Sequence, residues 1–546
     1  MKRGQERGAA LPRWVVVGLA ATPVAVLGVF YAWPFATLLG RGLSPASIGE
    51  TLGEATAWKV LWFTCWQAAL STLLTLAAGL APAYVLARYD FPGRRLLDGL
   101  LAALFVLPTV VMAAAMLALL PRSLEQGVVA ILAAHVTFNL AVVARTVGAV
   151  LVTVPRDREL AAATLGAAPW RAFWWVTFPA IRPAVLAAGG IVFVFTFTSF
   201  GVVRLLGGVR RSTVEVEIWR QATQFGDVGA AATLTVVQLA ALGIALGAAS
   251  VAQRRLSRKL GVRTRGMRAR PRGGRQRALV GVVAGLTAVV TVAPLAALVE
   301  RSTRSGGGRS TLAWRQLFGV AAESGRLPPG FSLGVDPLAS LRRSLVTAVA
   351  ATAIAVVVGS LAALAIAATR HGGRLLDVAM VLPIATSAIT IGFGMLITFD
   401  TPPFDWRASW WIVPVGHALV AIPFVVRTVL PVLRGIDRGR LDAAATLGAS
   451  PVRAWRAVVL PHVPRPVVVA AGISAAISLG EFGATSFLSR SGRETVPIAI
   501  ERLLSRPGAA LQAQGYALAA VLAAATIAIV LVLDATYGLG DTRERR

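Results

Sequence analysis

Long apolar runs separated by short polar stretches organise the chain: 14–39, 60–87, 99–120, 127–151, 183–206, 229–252, 278–299, 341–368, 378–399, 409–431, 466–489 and 514–537. A helix that crosses a bilayer needs about 20 mostly apolar residues, and each run reaches that length within ragged edges. The pattern predicts about twelve membrane-spanning helices, six in each half, and hence an all-α integral membrane fold. Pro23 and Pro34 interrupt the first run without disqualifying it, because neighbouring helices satisfy freed carbonyls. The runs divide the chain into residues 1–253, a linker 254–277 and residues 278–546. The linker reads RRLSRKLGVRTRGMRARPRGGRQR, cannot bury a core, and is expected to be cytoplasmic. The polar stretch 300–340 is the longest expected loop on the other face; its SGGG and LPPG turns leave room for one short helix near 311–322.

Composition agrees with this pattern. The chain is 56% hydrophobic, with a mean hydropathy of +0.70, which suits a membrane protein and not a soluble domain. A net charge of +29 would suggest nucleic acid in a soluble protein, but its placement argues for topology. Basic residues crowd the N-terminal tail, the loop with Arg88, Arg94 and Arg95, and the linker, all on one face if both termini are cytoplasmic. Stretches 207–228 and 490–513, on the other face, carry acids beside their bases. No nucleic-acid partner is expected; the partner of these charges is the lipid bilayer. The single cysteine, Cys65, lies inside an apolar run and reads as a small hydrophobe. The first run is too long for a cleaved signal and has no small-residue cleavage site, so a retained first span is expected.

One polar segment occurs twice. ELAAATLGAAPWRAFWWVTFP spans Glu159 to Pro179, and LDAAATLGASPVRAWRAVVLP spans Leu441 to Pro461. Ala161 to Ala167 match Ala443 to Ala449 letter for letter. Each copy predicts a short Ala-rich helix closed by Gly166 or Gly448, a residue that ends helices in the left-handed conformation. Pro169 or Pro451 then opens a second helix, which Ser450 can cap in the second copy, and which ends before Pro179 or Pro461. Two such elbows in the same orientation imply two equivalent docking points and a partner of matching two-fold symmetry.

Polar groups inside the runs are the remaining candidates, since they are costly at membrane depth and face protein or a wet cavity. His135 and His417 occupy equivalent places in the two halves, open both to a pathway role and to a hydrogen bond between helices. Arg145 and Arg427 lie near span ends, where snorkelling accounts for them. Glu481, with Ser199 at its counterpart position, is a candidate for the pathway or its gate, or for an ion pair that holds helices together.

The doubled segment resembles the EAA loop of permease subunits of binding-protein-dependent ABC importers. The second copy fits as Asp442-Ala443-Ala444, Gly448 and Val458-Val459-Leu460-Pro461; the first as Leu160-Ala161-Ala162, Gly166 and Val176-Thr177-Phe178-Pro179. Leu160 replaces the usual acid, with Glu159 one place early. The fused arrangement is similar to thiamine and ferric-iron permeases; HVTFNLAVVARTV and SFGVVRLLGGVRRSTVEVEIWRQA look more like the thiamine type. The resemblance implies a type I ABC importer permease fold of two parallel six-helix repeats, with cytoplasmic coupling segments at 157–179 and 439–461. It also implies two copies of an ATPase, an extracytoplasmic solute-binding protein, and residence in a bacterial cytoplasmic membrane. Glu159, Ala161, Ala162, Gly166, Asp442, Ala443, Ala444 and Gly448 are then the coupling residues. Thiamine or a phosphate ester is the first substrate class, ferric iron the second.

The chain has no G-x-x-x-x-G-K-[ST] loop, so ATP and magnesium are expected on a separate ATPase chain, with no cofactor here. The four histidines are scattered singly, and no metal site, catalytic residue or enzymatic activity is expected. A secondary transporter of the major-facilitator type is the alternative. Asp90, Gly93, Arg94 and Arg95 match part of that group's D-R-x-G-R-R element, but the second-half loop ATRHGGRLLD lacks the acid. That alternative leaves the doubled elbow unexplained.

Overall fold

The computed structural model describes residues 11–208, 211–256, 268–305, 308–318, 336–369, 373–490 and 492–543. Linker residues 257–267 and loop residues 319–335 lie outside these. Among the described residues, nine helices are long and apolar enough to cross a membrane, or up to twelve if each of three bent pairs is one span. The fold is the all-α membrane bundle that the pattern of runs predicts. The expected short helix in the 300–340 loop is present as Leu312–Leu317, after a two-residue hairpin of Arg304–Ser305 with Gly308–Arg309.

Several expected spans are broken, each for a local reason. Run 99–120 splits into Arg94–Val106 and Thr109–Leu119, bent by 110°. Leu107 is extended (ψ 139°) because the following Pro108 crowds out the helical conformation. The Leu382–Pro383 echo does not interrupt its helix at the proline, but the chain bends by 94° a few residues later. Pro383 sits inside Gly373–Ala385, and the next helix, Ala388–Thr398, starts where the Ser387 hydroxyl accepts from the Thr390 amide at 3.1 Å. Runs 183–206 and 466–489 are likewise not continuous. Phe178–Phe197 and Pro464–Gly480 each stop before a short separate helix, Gly201–Leu206 and Gly483–Leu488 respectively.

The chain forms two compact units, Gly42–Trp314 with Leu504–Ala520, and Arg315–Leu503 with Met1–Arg41 and Val521–Arg546. These do not follow the duplicated halves 1–253 and 278–546: the first span of each half packs in the unit built mainly from the other half. In the Gly42–Trp314 unit, helix Ala55–Arg88 lies along Val128–Leu151, and Phe178–Phe197 packs on both around Val143, Val147, Ile181 and Val192. Gly273–Ser302 packs against Thr109–Leu119 in the same unit. In the Arg315–Leu503 unit, Pro337–Ala368 lies along Ile412–Arg434, and Pro464–Gly480 packs on both. Here the chain's first helix, Arg13–Leu27, lies on Pro337–Ala368, and the turns after it place Phe30 against Phe399, Trp406 and Trp411.

Two contacts recur in both units and make the duplication visible inside the packing. A Cβ at Gly79 would stand 2.6 Å from Val143 Cβ, and one at Gly359 would stand 2.6 Å from Val425 Cβ. The Val214 amide donates to Thr64 Oγ1 at 3.0 Å, as the Val496 amide donates to Ser344 Oγ at 2.7 Å. The members from the first long helix lie 280 residues apart and their partners 282 apart, so the second half carries two more residues between the members of each pair. Glycine at 79 and 359 is therefore a packing requirement. An alanine elsewhere in a helix interior stabilises by up to ~1 kcal/mol relative to glycine, whereas overpacking costs ~1–3 kcal/mol. Gly79→Ala and Gly359→Ala are expected to lower the thermal midpoint of the purified protein. Gly18→Ala, where nothing lies within 4 Å, is expected not to lower it.

Candidate functional site

Both copies of the repeated segment fold into the same turn. Helix Asp157–Thr164 closes at Leu165 and Gly166 (φ +82°), with Gly166 N donating to Ala163 O at 3.0 Å and Ala167 N to Ala162 O at 3.0 Å. Helix Arg438–Thr446 closes at Leu447 and Gly448 (φ +81°), with Gly448 N donating to Ala445 O at 3.0 Å and Ala449 N to Ala444 O at 3.0 Å. This crossed pair of bonds satisfies the last carbonyls of each helix and needs a left-handed residue, hence glycine. Nothing lies within 4 Å of a Cβ built at either glycine, so their requirement is conformational, not steric.

The turn also sets what each elbow presents. Ala161, Gly166, Asp442, Ala443 and Gly448 are exposed, and Ala162 and Ala444 are half-buried. Sequence reasoning missed the residues just before the glycines: Leu165 and Leu447 are 89% and 88% exposed. The signal was available, since both stand inside the identical seven-residue stretch.

The two elbows are supported differently. Glu159 faces its own bundle. Its Oε1 lies 2.8 Å from Arg88 Nη2 and accepts from Thr177 Oγ1 at 2.5 Å, while the Tyr84 hydroxyl reaches Oε2 at 3.5 Å. Arg88 Nη1 also donates to Val154 O at 2.8 Å, which closes a buried polar knot between the elbow and helix Ala55–Arg88. The second elbow has Leu441 at the place of Glu159 and relies on caps. Asp437 accepts from Gly439 N at 2.9 Å, and Ser450 from Arg453 N at 3.4 Å. The expected stop before the second proline holds only for the second copy. Pro451–His462 meets Pro464–Gly480 at 52°, but the first copy runs unbroken through a π turn, Phe173–Thr177, into Phe178–Phe197. The wider turn accommodates Pro179, which lacks an amide, whereas the second copy has Pro461, Pro464 and Pro466 in close succession.

The pathway candidates lie at the breaks. His135 is buried between helices, with Nδ1 3.1 Å from Ser71 Oγ and Nε2 2.9 Å from Ser199 Oγ. His417 is buried with Nδ1 2.8 Å from Ser478 Oγ and Nε2 2.7 Å from Thr485 Oγ1. The partners differ because Ala351 stands where Ser71 has its counterpart, so the second ring turns to Ser478. Thr485 Oγ1 in turn donates to Glu481 O at 2.9 Å. Glu481 is buried, and its Oε1 accepts from the Ala484 amide at 3.0 Å, so it caps Gly483–Leu488. Among the described residues none forms an ion pair with it, so a helix cap stands where the helix-holding ion pair was an alternative. Helix Ala55–Arg88 adds a buried polar stripe that sequence reading overlooked, Thr64, Gln67, Ser71 and Thr75, at the three-to-four spacing of one helix face. Gln67 Nε2 donates to Thr196 O at 2.9 Å from this stripe, just before the break.

The family model for the binding-protein-dependent transport system inner membrane component matches residues 75–260 and again 355–546. The thiamine transport system permease protein ThiP of Escherichia coli (strain K12) is 25% identical over 509 residues, covering 89% of this chain and 90% of that protein. ThiP of Brucella abortus (strain 2308) is 26% identical over 506 residues, covering 87% of each. The putative 2-aminoethylphosphonate transport system permease protein PhnV of Salmonella paratyphi A (strain ATCC 9150 / SARB42) is 32% identical over 221 residues, 39% of this chain and 82% of that protein. Both matched regions begin beyond the first span of their half, so the duplicated part holds both elbows and both histidines. With the family match covering both halves, the chain belongs to the binding-protein-dependent transport system inner membrane component family, as a fused two-domain ABC permease.

Proposed function

We propose that this chain forms the translocation pathway of an ATP-driven importer in a bacterial cytoplasmic membrane, with both termini cytoplasmic. Each elbow receives one copy of an ATPase subunit, and an extracytoplasmic binding protein delivers the solute. Thiamine or a phosphate ester is the first substrate class, supported by the names of the full-length relatives. The phosphonate named for the shorter relative supports the phosphate-bearing variant of that class; ferric iron comes second. The observation that carries the reading is the pair of matched turns, each holding one almost fully exposed leucine beside a left-handed glycine. Two identical apolar knobs suit two identical clefts. Nucleotide-driven closure of those clefts shifts the bundle between two packings, and the loaded binding protein biases the same equilibrium from the other face.

Reconstitution with the cognate ATPase and binding protein tests this. Uptake into vesicles is expected to require ATP inside the ATPase-bearing compartment and to persist when ion gradients are collapsed; uptake driven by an ion gradient alone would move the chain to the secondary-transporter class. Gly448→Val is expected to leave membrane insertion intact, because no neighbour crowds the position, and to lower binding-protein-stimulated ATP hydrolysis by about tenfold or more, since a lost apolar anchor or misplaced turn is worth on the order of 2 kcal/mol at an interface. Leu447→Asp is expected to do the same by putting a charge into the cleft. Unchanged hydrolysis and uptake in both variants would remove the elbow from the mechanism.

The first elbow should respond to a change that its twin cannot feel. Glu159→Gln keeps the shape of the Arg88 knot but removes its charge. Removing one partner of a buried pair costs ~3–5 kcal/mol locally. Protease cleavage near Leu165 is expected to accelerate in this variant, with cleavage near Leu447 unchanged; equal rates at both elbows would refute the tether.

A further inference from the structure

At the opposite end of helix Ile412–Arg434 from its elbow, the Arg315–Leu503 unit holds a half-open cavity of about 710 Å³. Among the described residues its wall carries five arginines (342, 343, 407, 490 and 493), two tryptophans (410 and 411) and no acid. Described acids meet only two of these five charges. Arg407 is taken up by Asp405, with Nη2–Oδ2 at 2.8 Å and Nε–Oδ1 at 2.9 Å, and that bond holds the Asp405 carboxyl down to about 2. Arg343 lies 4.0 Å from Glu494, which also binds Arg502. Among the described residues no acid is within ion-pair distance of Arg342, Arg490 or Arg493; Arg493 donates to the Ala408 carbonyl at 2.9 Å. Burial pushes the Arg490 guanidinium down, the neighbouring Arg407 adds to this, and Asp405 opposes both.

Topology does not account for this cluster. On the proposed orientation the cavity opens on the outer face, where the positive-inside bias depletes arginine. Duplication does not account for it either. At the offsets that relate the two halves, Trp62, Phe63, Gly208 and Arg211 stand where the second half has Arg342, Arg343, Arg490 and Arg493, so three of these four charges are on one side only. A volume of this size is that of a small-molecule site, within the usual ~300–1,000 Å³. Guanidinium groups bind phosphate oxygens in pairs. Three arginines with no acid at ion-pair distance among the described residues suit a doubly charged phosphate-class group better than a single carboxylate, and the apolar wall of Trp410, Val346 and Leu488 gives its organic part a surface.

We propose that this cavity binds an organic phosphate-class anion, with the phosphate or phosphonate on Arg342, Arg490 and Arg493 and the organic part against Trp410. The ligand is either a free solute or the headgroup of an anionic lipid, and two arms distinguish them. The full chain is placed in nanodiscs of phosphatidylcholine, and phenyl phosphate is titrated calorimetrically. The same discs with half phosphatidylglycerol are examined by native mass spectrometry for retained lipid and retitrated with phenyl phosphate. A free-solute site is expected to bind phenyl phosphate in both discs, weakened at least about tenfold by R490Q/R493Q, as loss of charged hydrogen bonds predicts. A headgroup site is expected to retain phosphatidylglycerol in the wild type but not in R490Q/R493Q, and to lose phenyl phosphate binding in the mixed disc. Arg374→Gln, an exposed arginine away from the cavity, controls for net charge. If the double variant melts early without ligand, R342Q replaces it. If neither phenyl phosphate binding nor lipid retention depends on these arginines, the proposal is wrong.

Discussion

Inside a bilayer no water is available to a backbone amide or carbonyl, so a helix that breaks there must be satisfied by protein. This fold breaks the same span in both halves, at 198–200 and at 481–482, and the surrounding side chains are arranged around those breaks. In one unit His135 holds Ser199, at the break itself, while Gln67 reaches the carbonyl of Thr196. In the other, Glu481 caps the helix that follows, and Thr485 returns a hydroxyl to the Glu481 carbonyl while bonding His417. The histidines at equivalent positions are thus fixed in place by what the broken backbone needs. Their rings cross-link helices, and any pathway role is built on that support.

The elbows show how a duplicated element can keep its geometry while changing its foundations. The turn is conserved between the two copies to within a degree in glycine φ, because the crossed amide bonds admit only one conformation. What holds the turn to the membrane domain is not conserved. One copy is tied by a buried carboxylate–guanidinium knot and runs through a π turn into its span; the other is capped at both helix starts and bends at a cluster of prolines. A knot of buried charges is stiff and costly to break, whereas caps contribute ~1 kcal/mol each and leave the joint free to bend. The copies therefore present the same surface with unequal compliance. Leu160 in place of the usual acid belongs to the same divergence, since the charge one residue earlier turns inward.

Much of this was legible in the sequence, and the limits have physical causes. Apolar runs locate spans because bilayer thickness imposes a length, and the seven-residue identity locates the elbows because the turn imposes glycine. Hydropathy cannot see a break whose flanks are both apolar, so 183–206 and 466–489 read as continuous although Glu481 hinted otherwise. Nor can it say which spans pack together: Phe30 meets Phe399 across more than three hundred residues, and nothing in either local pattern carries that pairing. The Leu–Pro dipeptide occurs in both halves but breaks a helix only at Pro108, because a proline inside a span is tolerated when neighbours satisfy the freed carbonyl. The exposed leucines escaped notice because in a greasy sequence a leucine carries no signal until its burial is known.

Fusion of two permease domains in one chain is what allows the arginine cavity to exist on one side alone. Two identical subunits would duplicate every substitution, so five arginines at one outer site would become ten, with repulsion to match. In a single chain each half diverges under its own constraints. The second half carries Arg342, Arg343 and Arg490 where the first has Trp62, Phe63 and Gly208. The shared parts are two elbows, whose turn the crossed amide bonds require, and two histidines, which the broken spans require. The unshared part is the one that a small, asymmetric ligand would need only once. Where the halves agree, the fold is the constraint; where they differ, each half is free to take its own chemistry.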